Sequence, residues 1–200
     1  MEKKTVVLCD DHNIVRAGLR QIVESFRDFE VLEDVASGEA IFPLFRKKTP
    51  DILLLDISLP GRSGLEVLKQ IQSMYPEVAV LALSMYPEDQ FAIRMIKAGA
   101  RGYLHKDSAP EILEEAMRTI VEGKQYISAE LTRLMIEEMA KDNNELPHKS
   151  LSDREYEVLL YIGEGKTMTE IANQLSLSIK TVSTYRSRIL EKMRLKSNSD

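Results

Sequence analysis

Ile52-Leu53-Leu54-Leu55 is a run of four large apolar residues that ends at Asp56 and is followed by Ser58-Leu59-Pro60-Gly61. Such a run between turn formers predicts a strand buried on both faces, the kind found inside a parallel sheet. Similar runs recur along the chain. Val6-Val7-Leu8-Cys9 leads into Asp10-Asp11, Val31 to Val35 reads as a second strand, Val78 to Leu83 runs into Ser84, and Gly102-Tyr103-Leu104-His105 ends at Lys106. Between these runs the apolar spacing becomes helical. Ile14, Val15, Leu19, Ile22, Val23 and Phe26 form one stripe, Ala40 to Phe45 a short helix interrupted near Pro43, and Leu65, Leu68, Ile71 and Met74 a third stripe opened by Ser63 and Glu66 at capping-box spacing. Phe91, Met95 and Ile96 lie between Pro87 and a C′ glycine, Gly99. Ile112, Leu113, Ala116, Met117, Ile120 and Val121 follow Ser108 and Glu111, a second pair at capping-box spacing. Five strands alternating with five helices over about 120 residues predict an α/β fold built on a doubly wound, five-stranded parallel sheet.

The pattern then changes. Leu131, Leu134, Met135 and Met139 stripe a helix from about Ser128 to Lys141, either an edge of the first domain or a stiff connector. Lys141 to Ser150, with Asp142-Asn143-Asn144 and Pro147, is polar and breaker-rich and reads as a flexible linker. Three helical segments follow. Ser152 and Glu155 frame a capping box before Val158, Leu159 and Ile162, with Gly163 and Gly165 at the exit. Thr167 and Glu170 frame a second box before Ile171, Ala172 and Leu175. After the turn Ser176-Leu177-Ser178, a longer helix carries Val182, Ile189 and Met193 on one stripe. Two helices joined by a three-residue turn describe a small all-α helix-turn-helix domain. The opposite face of the last helix offers Lys180, Thr181, Ser183, Thr184, Ser187 and Arg188, short hydroxyls and cations able to reach base edges and phosphates.

Composition sharpens this division. The chain has 200 residues, 44% of them hydrophobic, and a net charge of −5. Basic and acidic side chains number 18 and 25 in residues 1–145, but 9 and 7 in residues 146–200 and 6 and 2 from Ser176 onward. An acidic domain carrying a small nucleic-acid reader fits that asymmetry. One cysteine, Cys9 within an apolar run, excludes a disulfide framework and a cysteine metal cluster and fits a reducing compartment. No apolar run approaches the roughly 18 residues of a membrane span. Met1-Glu2-Lys3-Lys4 leads into a strand rather than a signal peptide, so a cytoplasmic protein is expected.

Open α/β sheets place their ligands outside the carboxyl ends of the strands. There this chain supplies Asp10 and Asp11, Asp56, Ser84 and Lys106. One carboxylate could cap a helix, but two adjacent ones repel unless a cation compensates. Three carboxylates form a hard-oxygen set suited to Mg²⁺, beside which an ionised Asp56 can attack a phosphoryl group. Lys106 would balance the charge of the transferred oxygens and Ser84 would donate to the new phosphate, vacating space for Tyr103 to swing inward. A phosphatase with an aspartyl nucleophile is the rival reading. It needs a second acid two residues on, where this chain has Ser58.

With these residues in place, residues 5–121 resemble the receiver domain of bacterial two-component response regulators. Asp10-Asp11, Asp56, Ser84, Tyr103 and Lys106 match that family's acidic pair, phosphoacceptor, hydroxyl switch, aromatic switch and lysine. The resemblance implies Mg²⁺ bound by Asp11, Asp56 and the Ser58 carbonyl, with Asp10 acting through water, and a sensor histidine kinase as phosphodonor. Asp107 stands where many members have proline, and Ser58 and Tyr86 where the family varies. His12 reads as a surface histidine. Leu151-Ser-Asp-Arg-Glu-Tyr-Glu-Val-Leu, Glu170-Ile-Ala-Asn-Gln-Leu and Ser178-Ile-Lys-Thr-Val resemble the LuxR-type DNA-binding domain joined to receivers in the NarL/FixJ class. That resemblance implies base reading by Ser183, Thr184 and Ser187, support from Lys180, Thr181 and Arg188, a double-stranded DNA operator, and a homodimer on activation. The implied division is a receiver over 1–124, a connector helix and linker over 125–150, and a helix-turn-helix over 151–200. A fourth helix usual in that domain is expected to be missing after Ser197, which would weaken pairing of the DNA-binding domains. A regulator working mainly through protein contacts is the third reading.

Overall fold

The structure is a computed structural model that describes residues 3–140 and 150–197. Residues 141–149, where the sequence predicts the linker, and residues 1–2 and 198–200 lie outside the described residues. The chain divides into two units, Met1–Ala140 and Lys141–Asp200.

The first unit alternates strands and helices: β1 (Lys4–Cys9), α1 (Asn13–Ser25), β2 (Phe29–Val35), α2 (Gly38–Phe45), β3 (Ile52–Asp56), α3 (Gly64–Met74), β4 (Ala79–Ser84), α4 (Glu88–Lys97), β5 (Gly102–His105), α5 (Pro110–Val121) and α6 (Ala129–Ala140). The five strands form one all-parallel sheet in the order β2-β1-β3-β4-β5, the flavodoxin-like order. Every residue of β3 and of β4 is buried. A buried Leu or Ile contributes roughly 2 kcal/mol, so the hydrophobic effect alone selects these runs for the middle of the sheet. In register Leu8 lies beside Leu54, Leu54 beside Leu81, Asp56 beside Leu83 and Ser84 beside His105, so the polar strand ends share one edge. The outer strand β2 carries Glu30, Glu33 and Asp34 among its seven residues.

Several sequence expectations need correction. Pro43 does not interrupt α2. The helix runs through it to Phe45, and the burial of Ile41, Phe42 and Phe45 on the same helix offsets the lost backbone bond. Ser108 and Glu111 form no capping box. Helix α5 starts one residue later, with Ala109 as N-cap and Pro110 at its first position, where a missing N–H costs nothing. Ile14, Met74, Ile112 and Met139 are exposed rather than inward-facing. Helix α6 packs against α4. The Ser128 hydroxyl accepts the Leu131 N–H at 2.9 Å and donates to Glu88, Leu131 is buried, and Lys97 meets Glu138 at 2.7 Å.

The second unit holds α7 (Asp153–Gly163), α8 (Met168–Gln174) and α9 (Ile179–Met193). Ser152 with Glu155 and Thr167 with Glu170 form reciprocal capping boxes, so both helix starts are fixed by sequence. The turn before α9 places Ser176 at φ 53°, and Ser178 caps α9 by accepting the Thr181 N–H at 3.0 Å. Val158, Tyr161, Ile171, Ala172, Leu175, Val182 and Ile189 form the core, with Met193 half-buried. Lys192 reaches back to the buried Glu155 carboxylate at 2.6 Å, joining α9 to the start of α7.

Candidate functional site

The sheet order puts β1 and β3 side by side, and their carboxyl ends bring Asp10, Asp11 and Asp56 together. Ligand atoms from these three and from His12 all lie within 4.8 Å of one another. Asp10 and Asp56 are about 1% exposed. Lys106, at the end of β5, crosses β4 to place its ammonium 2.6 Å from Asp10 Oδ2 and 2.8 Å from Asp56 Oδ2. The other Asp56 oxygen accepts the Ser58 N–H at 3.0 Å. Burial pushes the Asp56 carboxyl above the ordinary carboxylate range, opposed by the Lys106 charge and reinforced by Asp10. Burial would lower the Lys106 ammonium, but the pull of Asp56 and the bonds to both carboxylates raise it.

Three carboxylates thus face a single ammonium among the described residues. Among the described residues, Asp10 Oδ2 and Asp56 Oδ2 meet no donor but Lys106, and Asp11 Oδ1 faces only the exposed His12 ring at 2.8 Å. Buried oxygens with lone pairs to spare and uncompensated negative charge fit a small divalent cation with oxygen ligands.

Around this mouth the backbone is tightly held. Gly64, first residue of α3, has no room for a side chain, because a Cβ there would lie 2.4 Å from the Asp56 carbonyl oxygen and 2.5 Å from Ile57 Cα. The Ser63–Glu66 capping box seats that helix start. Asp10 Oδ1 accepts the His12 N–H at 2.8 Å rather than capping α1, and the Asp10 carbonyl accepts from Arg16 at 2.6 Å. Arg16 in turn pairs with Asp34 at 3.0 Å.

Ser84 is fully buried, and its hydroxyl accepts the Tyr86 N–H at 2.8 Å. Tyr103 is also buried, and its hydroxyl donates to the Tyr86 carbonyl at 2.7 Å. The Tyr103 ring lies inside, where a buried phenol requires an acceptor and the β4–α4 loop supplies one. Burial pushes the Tyr103 hydroxyl well above its usual range.

In the second unit, Lys180, Ser183, Thr184, Ser187 and Arg188 are exposed along α9 and Thr181 is half-exposed. Thr184 and Ser187 donate their hydroxyl hydrogens to the carbonyls of Lys180 and Ser183, at 2.9 and 3.1 Å. Among the described residues, Lys180 and Arg188 have no acidic partner. No helix of the described residues is long and apolar enough to cross a membrane.

Residues 6–118 match the response regulator receiver domain, and residues 149–200 match the bacterial regulatory proteins of the luxR family. The chain belongs to the response regulators. Curated relatives of this response regulator include the response regulator UvrY of Escherichia coli K12, 35% identical over 95% of this chain and 88% of the relative. Another is the oxygen regulatory protein NreC of Staphylococcus epidermidis, 34% identical over 98% and 93%. Among solved structures, RcsB of Salmonella enterica serovar Typhimurium, bound to the promoter rprA in the presence of the phosphomimetic BeF3−, superposes with a TM-score of 0.67 at 26% identity. That match covers 98% of this chain and 95% of the other.

Two parts of the site escaped sequence reasoning. Arg16 lies one turn into α1, and nothing in its spacing signals that it clamps the Asp10 carbonyl. His12 is exposed, as a surface histidine should be, yet its ring lies over the acidic pair; its place directly after Asp10-Asp11 was the available signal.

Proposed function

We propose that Asp56 accepts a phosphoryl group from a phosphohistidine of a sensor histidine kinase, and that the resulting change in residues 1–124 controls binding of α9 to double-stranded operator DNA. The bridge from Lys106 to both Asp10 and Asp56 is the observation that carries this reading, because it joins acid, acceptor and counter-charge in one site. An Asp56 carboxylate oxygen attacks phosphorus, the N–P bond breaks as the O–P bond forms, and the donor imidazole retains the electron pair. Lys106 holds charge on the transferred oxygens, while the Ser58 N–H orients the acceptor. Asp11, Asp56 and the Ser58 carbonyl would hold Mg²⁺ directly and Asp10 through water; once bound, the ion neutralises phosphoryl oxygens.

Ser84 and Tyr103 are the switch. A hydroxyl that accepts the Tyr86 N–H can still donate its own hydrogen to the phosphoryl group, so a shift of Ser84 toward that group would draw on the loop whose Tyr86 carbonyl accepts from Tyr103. Helix α6 and residues 141–150 would connect this change to residues 151–200. On DNA, Ser183, Thr184 and Ser187 would read bases while Lys180, Thr181 and Arg188 contact phosphates, the protein acting in the cytoplasm as a homodimer once activated. The reading is tested by selecting DNA ligands with the full chain, with and without an acyl-phosphate donor. Enrichment of a specific sequence that depends on donor and is lost in Asp56→Asn is the expected result, and donor-independent binding would refute it.

A further inference from the structure

His12 directly follows the acidic pair and is the N-cap residue of α1, yet its side chain makes no capping bond. Its backbone N–H is used instead, donating to Asp10 Oδ1 at 2.8 Å. The imidazole stands at the carboxylates, with Nδ1 2.8 Å from Asp11 Oδ1 and 3.4 Å from Asp10 Oδ1. At 2.8 Å a nitrogen and an oxygen ordinarily share a hydrogen. Asp11 Oδ1 nevertheless has no hydrogen-bond partner among the described residues, so the ring lies beside this oxygen without aiming an N–H at it. Two electron-rich atoms held that close repel unless a cation lies between them.

The spacing is that of atoms sharing one metal ion. Bonds of about 2.0–2.1 Å put neighbouring ligand atoms roughly 2.9 Å apart in an octahedron and roughly 3.3 Å apart in a tetrahedron. The two Nδ1 distances, 2.8 and 3.4 Å, fall at those values. Ligand atoms of Asp10, Asp11, His12 and Asp56 also lie within 4.8 Å of one another, and the His12 side chain, 65% exposed, is free to make the last adjustment.

We propose that His12 Nδ1 is a metal ligand, which makes the three-carboxylate site a mixed oxygen and nitrogen site with affinity for first-row transition-metal dications of the Zn²⁺ kind. This rests on Asp10, Asp11 and Asp56 being the cation site of the phosphoacceptor. Mg²⁺ is a hard ion served by oxygen and gains little from an imidazole, whereas Zn²⁺ binds one readily. His12 therefore sets which metal the site prefers.

The untagged full chain, His12→Ala and His12→Phe would be titrated with Zn²⁺ and with Mg²⁺ by calorimetry, and imidazole ¹⁵N NMR would follow the Zn²⁺ titration. Phenylalanine keeps a planar ring without a nitrogen, so the pair of variants separates ligation from packing. In both variants Zn²⁺ binding is expected to weaken by about tenfold or more while Mg²⁺ binding stays within about twofold of the parent chain. Zn²⁺ should also shift a ring ¹⁵N signal that is absent from both variants. Unchanged Zn²⁺ affinity, an equal loss for both ions, or no Zn²⁺-shifted signal assignable to His12 overturns the ligand role alone. A parent chain that binds neither ion overturns the cation site on which it rests.

Discussion

Gly64→Ala is the most direct test of how the phosphoacceptor is held. The added methyl carbon would sit 2.4 Å from the Asp56 carbonyl oxygen and 2.5 Å from Ile57 Cα, with 3.4 Å the lower edge of ordinary contact. Both neighbours are backbone atoms at the end of a strand buried along its whole length, so no side chain can rotate away. Helix α3 must retreat by about 1 Å or β3 must bend. Overpacking of this kind costs about 1–3 kcal/mol, and rigid neighbours place it at the upper end. That corresponds to a fall of about 10 °C in Tm for a unit of this size. A displacement of about 1 Å at the acceptor also slows labelling of Asp56 by an acyl phosphate by about 100-fold. Gly18→Ala is the matched control. It lies within α1, a Cβ there meets nothing within 4 Å, and alanine should raise stability by about 1 kcal/mol. Circular-dichroism melting and time-resolved phosphoprotein gels read both effects. Gly64→Ala melting within 2 °C of the parent, roughly the effect of a 0.5 kcal/mol change, and labelling at its rate would refute the close seat of α3 on β3.

Other outcomes follow from the same geometry. Chelation with EDTA should abolish acyl-phosphate labelling and excess Mg²⁺ restore it, as phosphoprotein gels would show; labelling indifferent to the metal would contradict a cation among the three carboxylates. Burial raises the Glu155 carboxyl, but bonds from Lys192 and from the Ser152 N–H and hydroxyl outweigh it, leaving the group below its unfolded value near 4.5. A depressed carboxyl stabilises the fold fully above the unfolded value, and that stability drains away as pH falls through the folded one. Hydrogen exchange of α7 and α9 amides in the full chain should therefore be protected evenly from pH 7 to about 5 and lose protection below about 4.5, whereas Glu155→Gln should lose protection at pH 7 and flatten the profile. Lys180→Ala should weaken DNA binding across sequences and lower the salt slope by about one, measured by fluorescence anisotropy at several salt concentrations.

Much of this molecule is legible in its sequence because the central strands are buried on both faces, which leaves unbroken apolar runs whose polar ends declare the site. Asp10, Asp56 and Lys106 could be brought together from three strand ends alone. Helix faces were harder to read. Ile14 and Ile112 keep the apolar spacing of their helices yet lie in the first turns, where the apolar stripe extends beyond what the core covers. The state of Tyr103 was hidden because it depends on the Tyr86 carbonyl, a backbone atom whose position no residue type encodes. The Ser108–Glu111 pair misled because Pro110 offered a better helix start than the capping box.

The acidic outer strand has one more bearing. An open sheet edge is a template on which another chain can add a strand, and β2 is such an edge. Glu30 and Glu33 stand exposed along it, so a second copy arriving edge to edge would bring like charges face to face. That repulsion guards this edge against strand-on-strand stacking.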